Sequence, residues 1–324
     1  LFRGRRGEVI YVGRATNLRA RVRSYFSTDI RRKTAQMLRE TTRIDHRDCT
    51  GPLEAAVVEI RLIHEHEPRF NRQGTTWRHY AYVKLSLGER FPRLSTARVL
   101  KQDGGLYIGP VTSTSAARMV IDAIQAVVPL RRCTTRPAPT PGTGPCVPAQ
   151  LGLATCPCSG QIDEDGYAAI VARAVAGLTS RPDLLIDPLA DRMRRLAAEE
   201  RFEEAADLRD RTAVLAGALG RQHRLRRLRE SGRLRVRVQD HGGAEFQDGL
   251  LVHAWCGEPD GDLALRFSPA ADDRPVPGEP IPRDLADELH CVAAWLDGES
   301  HRLRLEHCDG TLADPLVRIP TFRA

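Results

Sequence analysis

Residues 9–25 read VIYVGRATNLRARVRSY, a short apolar run closed by Gly13 and followed by a basic stretch that ends on a tyrosine. The run from Val9 to Val12, then a glycine, reads as a strand entering a tight turn. From Asn17 to Phe26 the pattern changes. Leu18, Val22 and Tyr25 or Phe26 recur at helical spacing, with arginines between them. A helix starting near Arg14 would put Arg14, Arg21 and Tyr25 on one face. Tyr11, at the strand end, points toward the same turn. Two phenols and two guanidiniums in one small volume, beside the free N–H groups of a helix start, would fit a phosphate. The plainer reading is a surface helix with solvated arginines and core tyrosines.

The charge distribution bears on that choice. The 324 residues carry a net charge of +7 and a pI near 9.2, and 46 of the 49 basic residues are arginine. Residues 1–40 hold eleven Arg or Lys against Glu8, Asp29 and Glu40, a local excess of +8 that matches the whole net charge, the rest of the chain being close to balanced. A patch of this kind, which includes Arg19, Arg23, Arg31, Arg32 and Lys33, points to a nucleic acid. No apolar run approaches the roughly 20 residues of a membrane span, and no stretch reads as a secretory signal. The chain begins at Leu1 with Val9–Val12 already looking like a second strand, so an upstream piece is expected.

Further helices are expected over 31–40, over 52–66 with Pro52 in a first-turn position, and over 113–128. Residues 79–87 alternate as a strand, and another strand ends at 107–109. Residues 133–160, rich in Pro, Gly, Thr and Cys, need an external staple. Two helices are expected at 188–200 and 202–217. After 232 the pattern is strand-like, with a helix near 283–297 and a last strand near 302–306.

On a helical projection of 52–66, Glu54, Arg61 and Glu65 share one side. Glu59 lies about 140° away among Ala55, Ala56, Leu62 and Ile63. A carboxylate on an apolar face needs a cation. An arginine would serve, and so would a divalent metal, since Mg²⁺ accepts one carboxylate together with waters and a substrate phosphate oxygen. Metal, arginine and tyrosine around one phosphate would hydrolyse a phosphodiester.

These residues resemble the GIY-YIG nuclease family, in the form found in the N-terminal half of the excinuclease subunit UvrC and in the related Cho proteins. The resemblance rests on Tyr11-Val12-Gly13, on GRATNLRARVRSYF, and on EAAVVEIRLIHEHEPRFN, which ends on Asn71. FPRLSTARV, YIGPVTS and VVPLRRC extend it, and it runs to about Leu219. It implies Tyr11, Arg21 and Tyr25 around the scissile phosphate, Glu59 on Mg²⁺, and Gly13, Arg14 and Asn71 in support. The signature's first tyrosine would lie just before Leu1. Arg14 stands where the family often has lysine, and Phe70 where tyrosine is common. The second, RNase H-like nuclease of full UvrC is not recognisable after 230. A Cho-like chain, or the UvrC-like part of a protein with an upstream exonuclease domain in the same polypeptide, is therefore expected.

A cytoplasmic setting is expected for such a repair-like protein, and there eight cysteines argue against disulfides and for reduced thiols or a metal. Cys133, Cys146, Cys156 and Cys158 lie in the Pro/Gly-rich segment and could hold zinc or an iron–sulfur cluster, or remain free. The resemblance favours a 4Fe–4S cluster, although the family's third position falls near Ala154. DRMRRLAAEERFEEAADLRD resembles the UVR motif, a helix pair in which Met193, Leu196 and Ala197 face Phe202, Ala205, Ala206 and Leu208. It implies docking on a UvrB-like helicase through 188–217; packing within the chain is the alternative.

The expected fold is α+β: a small antiparallel GIY-YIG sheet flanked by helices (1–76), a UvrC-like middle region (77–132), a Cys-rich connector (133–162), a helical region with the hairpin (163–230), and a small α/β domain (231–324). The expected function is a Mg²⁺-dependent, structure-specific endonuclease acting on damaged duplex DNA. A catalytically impaired DNA-binding and UvrB-docking adaptor is the rival.

Overall fold

The computed structural model describes residues 1–26, 32–71, 74–134, 144–239, 242–257 and 279–310. They fall into two compact units, one of Leu1–Arg78 with the described residues from Arg224 onward, the other from His79 to His223. The fold is α+β.

In the first unit, β1 (Phe2–Arg3) lies between β2 (Val9–Tyr11) and β3 (Arg43–Ile44) in an antiparallel sheet, with Phe2 opposite Tyr11 and Ile44. Helix α1 spans Leu18–Ser24 and α2 Arg32–Glu40. The helix expected from Arg14 begins later because Asn17 caps it, its side chain accepting from Ala20 N–H at 2.9 Å. Arg14 therefore lies in the turn rather than on the helix.

Helix α3 (Pro52–His66) has Gly51 as N-cap, Pro52 in its first turn, and ends at Glu67 with φ 45°. It is apolar on two sides. Ile63 packs on Val9 and Val12 of the small sheet. Leu53 and Val57 join a second core with β7 (Arg233–Val238), β8 (Gly242–Gln247), β9 (Leu250–Trp255) and α9 (Ala286–Glu299). With β10 (Leu303–Cys308), the last strands form an antiparallel sheet of order β10-β7-β8-β9. Each fully buried aliphatic side chain such as Val57 contributes roughly 1.5–3 kcal/mol. This double burial corrects the helical projection: Glu54 is buried rather than on a polar side. It reaches back in the manner of a capping box to accept from the Thr50 N–H at 2.7 Å and hydroxyl at 2.8 Å.

The second unit is built on the sheet β5-β4-β6, with β4 at Ala81–Leu85, β5 at Leu94–Ala97 and β6 at Leu106–Val111. Helix α4 (Thr114–Gln125), capped by Ser113, packs Ala117, Val120 and Ile124 into the same core as that sheet. After the short α5 (Val147–Gln150), α6 (Glu164–Thr179), α7 (Asp183–Ala198) and the first part of α8 (Phe202–Glu230) complete it.

Helix α7 starts five residues before Pro188 because Leu185, Ile186 and Leu189 are fully buried. Helix α8 continues past 217 through Gly220 because Leu219, Leu225 and Leu228 are buried; packing overrides local propensity in both. Within the hairpin, Leu196 and Leu208 enter this unit's core with Met193 and Ala205 beside them, whereas Phe202 is 65% exposed and Ala197 also faces solvent. The expected face of seven residues is thus only partly used inside the chain.

Candidate functional site

The end of β2, the turn after it, α1 and α3 bring five polar side chains together. The Tyr25 hydroxyl donates to Tyr11 Oη at 3.2 Å, and the two rings meet edge to face at 6.1 Å. Phe2 completes the stack, 5.6 Å from Tyr11 and 5.5 Å from Tyr25. Sequence reasoning missed Phe2, because its one signal is the place opposite Tyr11 that strand pairing gives it. Gly13 is required for close approach: a Cβ there would lie 2.9 Å from the Tyr11 ring and 3.0 Å from its hydroxyl.

Arg21, exposed on α1, sits over the Tyr25 ring at 5.2 Å. Its pKa is raised, first by the charge of Tyr25; burial, the next largest influence, opposes this, and hydrogen bonds with both phenols and the charge of Tyr11 add to the rise. Burial is the largest influence on Tyr25. Together with the hydrogen bond to Tyr11 it pushes the phenol up to about 12, so Tyr25 is a donor throughout the neutral range.

Glu59 lies on the face of α3 turned to this cradle. Its side chain is 26% exposed, and Arg14 Nε is 3.1 Å from Oε2. Burial raises the carboxyl pKa, while the charge and backbone N–H of Arg14 and, more weakly, the charge of Arg21 pull it down. The arginine and metal readings of Glu59 are thus not exclusive: Arg14 holds one oxygen, and the side chain stays partly exposed within the electrostatic reach of Arg21. A hard oxygen donor of this kind suits Mg²⁺, which keeps most of its waters.

Asn71 clamps the strand end. Its Nδ2 donates to Val12 O and its Oδ1 accepts from Val12 N–H, both at 2.9 Å. Arg19 and Arg23 are exposed on α1, Arg32 is exposed and Lys33 half-buried on α2. Arg31 lies outside the described residues.

Sequence models of three families match the chain: the UvrC-like GIY-YIG domain over residues 1–72, the UvrC/Cho excinuclease middle domain over 80–177, and the UvrB/UvrC motif over 183–215. The chain is a UvrC-like GIY-YIG protein. It is 36% identical over 222 residues to the UvrABC system protein C of Desulforudis audaxviator, an alignment covering 68% of this chain and 36% of that one. It is 37% identical over 309 residues to a Mycobacterium tuberculosis protein named a putative bifunctional exonuclease/endonuclease, covering 91% and 47%. The chain thus spans between about a third and half the length of these curated relatives. No solved structure matches. In this UvrC-like chain, the family matches stop at 215, short of β7–β10 and α9.

The cysteine-rich segment behaves differently from the cradle. Among the described residues, no group of three or more His, Cys, Asp or Glu side chains is gathered so as to hold a metal. Cys133, Cys146, Cys156 and Cys158 therefore do not form the expected cluster site as placed. Two of them do interact. Burial raises the Cys156 thiol, but hydrogen bonds from the backbone and thiol of Cys146, and from the backbones of Ser159 and Cys158, together outweigh it and lower its pKa. Cys133 Sγ instead accepts from the buried Arg131 guanidinium at 3.6 Å. No helix among the described residues is long and apolar enough to cross a membrane.

Proposed function

We propose that the chain is a divalent-metal-dependent endonuclease that hydrolyses a phosphodiester of damaged duplex DNA in nucleotide excision repair. The observation that carries this is the convergence of Tyr11, Tyr25, Arg21 and the Arg14-paired Glu59 at one strand end. The three family matches and the relatives support it. Arg19, Arg23, Arg31, Arg32 and Lys33 lead the backbone in through phosphate contacts, which position DNA without reading its sequence.

Arg21 holds the scissile phosphate and neutralises charge that grows on its oxygens. Tyr11, whose oxygen accepts from Tyr25 and lies within hydrogen-bonding reach of Arg21, orients the attacking water. Tyr25, whose pKa is pushed up to about 12, stays protonated and orients. Asn71 and Gly13 hold the strand end and the Tyr11 ring in place. Glu59 would hold the Mg²⁺, with Arg14 keeping the carboxylate ionised. Such an ion, when bound, supplies charge neutralisation at the leaving oxygen.

The hairpin of α7 and α8, with Phe202 exposed, is the proposed dock for a UvrB-like partner, and the Mycobacterium tuberculosis relative supports an exonuclease domain in the same polypeptide. A zinc ion or 4Fe–4S cluster on the four cysteines is not supported by their placement, and no step of the hydrolysis depends on one.

The test is nicking of a lesion-bearing duplex in Mg²⁺ by this chain and by an upstream-extended form, each with and without Glu59→Gln. Loss of nicking with retained duplex binding supports the assignment. Nicking indifferent to Glu59 removes it, and duplex binding without nicking in either form leaves the adaptor.

A further inference from the structure

Glu59 and Arg61 are two residues apart on α3, so they point about 200° apart around the helix. One faces the cradle. The other is bolted to the C-terminal sheet and helix. Arg61 Nε donates to Glu288 Oε2 at 2.8 Å and Nη2 to Oε1 at 2.6 Å, a bidentate pair. Nη2 also donates to Leu251 O at 2.8 Å, and Leu251 N–H donates to Glu288 Oε1 at 3.0 Å. The four bonds close a ring joining α3, β9 and α9, and the Glu288 side chain is only 6% exposed. One turn on, His64 Nε2 lies 3.5 Å from Asp287 Oδ2, and the His64 ring is 4.9 Å from Trp77. Leu53 and Val57 bury the same face of α3 against Leu289, Val292 and Ala293.

A guanidinium and a carboxylate so placed are costly to separate, because the Glu288 carboxylate would remain buried, and the Arg61 guanidinium half-buried, without its partner. The pair therefore sets where α3 can sit, and α3 carries Glu59. A second observation ties α9 to the same centre. The Cys291 thiol, pushed up chiefly by burial, also feels Arg14, Glu288 and Glu59.

We propose that the part of the C-terminal α/β segment that meets α3, β9 with α9, is a working part of the nuclease centre, and that Glu288 and Arg61 are positioning residues that fix the Glu59 carboxylate for its cation. The residues matched by the GIY-YIG model, 1–72, are then incomplete without β9 and α9. This rests on the nuclease reading of Glu59.

The experiment compares full chains carrying Glu288→Gln, Glu288→Asp and the reversed pair Arg61→Glu with Glu288→Arg. Glu306→Gln on β10, which removes a partner of Arg235 and Arg237 on β7, serves as control. Three quantities are read: hydrogen exchange of α3 amides, the Mg²⁺ concentration for half-maximal nicking, and duplex affinity. Glu288→Gln is expected to speed α3 exchange, raise the Mg²⁺ requirement and lower nicking by about 10- to 100-fold, the scale for a misplaced catalytic group, with duplex affinity unchanged. The reversed pair should recover most of the loss. If Glu288→Gln does not fold, Glu288→Asp, which keeps the charge but shortens the reach, is expected to raise the Mg²⁺ requirement at an unchanged melting temperature. Exchange and Mg²⁺ requirement equal to those of Glu306→Gln would overturn the proposal. If nicking proves independent of Glu59, the nuclease reading has failed and α3 exchange alone decides the brace.

Discussion

The cradle around Tyr11 and the segment from Cys133 to Cys158 were both expected to bring functional side chains together, and among the described residues the first set lies closer together than the second. The cradle residues sit on β2, α1 and α3, where a strand's alternation and a helix's turn fix each side chain's direction. The cysteines sit among prolines and glycines, where spacing along the chain says little about direction. Cys146 and Cys156 meet, but Cys133 is drawn instead to Arg131, which is buried and also bonds the carbonyls of Phe91 and Cys133. Regular elements brought the residues of a sequence motif together; an irregular segment left its four cysteines ungathered.

The sharpest way to break this comparison is Glu59→Gln. It removes the charge that holds a cation, and nicking is expected to fall by about 1000-fold. Arg21→Ala comes next, with a loss near ~100-fold in turnover and little change in duplex affinity. Arg19→Ala and Arg23→Ala should do the reverse, each weakening binding and flattening its salt dependence by about one unit of slope, as expected when a phosphate is no longer neutralised. Equal losses in turnover and affinity for Arg21→Ala would reduce that residue to simple charge attraction.

Acid should act through Glu59. Its carboxyl pKa is raised, so protonation begins above the ordinary carboxylate range and nicking is lost there as pH falls. Arg14→Ala, by removing the opposing charge, should move that acid limb to higher pH; an unmoved limb in the pH–rate profile would detach Arg14 from the site. At the alkaline end the sign is also set. Tyr25 is pushed up to about 12 in the folded chain, so the stability its proton contributes is complete below the unfolded value near ~10 and is lost as pH rises through about 12. Tyr25→Phe should remove that part of the alkaline unfolding curve.

Asn71→Ala leaves the Val12 N–H and C=O without partners and should cost about 1–3 kcal/mol, read as a lower denaturant midpoint. The smallest effect is expected at the cysteines. Cys158→Ser should leave the melting temperature near that of the parent, and anaerobically purified protein should show neither visible absorbance nor bound zinc. A coloured protein would put that segment on the same footing as the cradle.

Much of the site was legible because its signals are local. Gly13 after an apolar run, the arginine spacing on α1 and the acid at position 59 all lie within elements of ordinary period. The helical projection failed at Glu54 and Arg61 because it assumes one buried face, whereas α3 has two. The second is held by residues remote in the chain, among them Leu251 and Glu288, 190 and 227 positions from Arg61. Helices α7 and α8 run longer than their prolines and glycines suggest for a related reason, since buried leucines hold them.

From its residues alone the chain determined which side chains share a strand end or a helix face, because strand and helix periods are set by backbone geometry. The tertiary structure decided what stands behind them. Whether an acid is solvated, capped or bolted to a distant arginine depends on desolvation by neighbours that only the folded chain supplies, and that is how Glu54 and Glu288 came to be buried and Glu59 only half so.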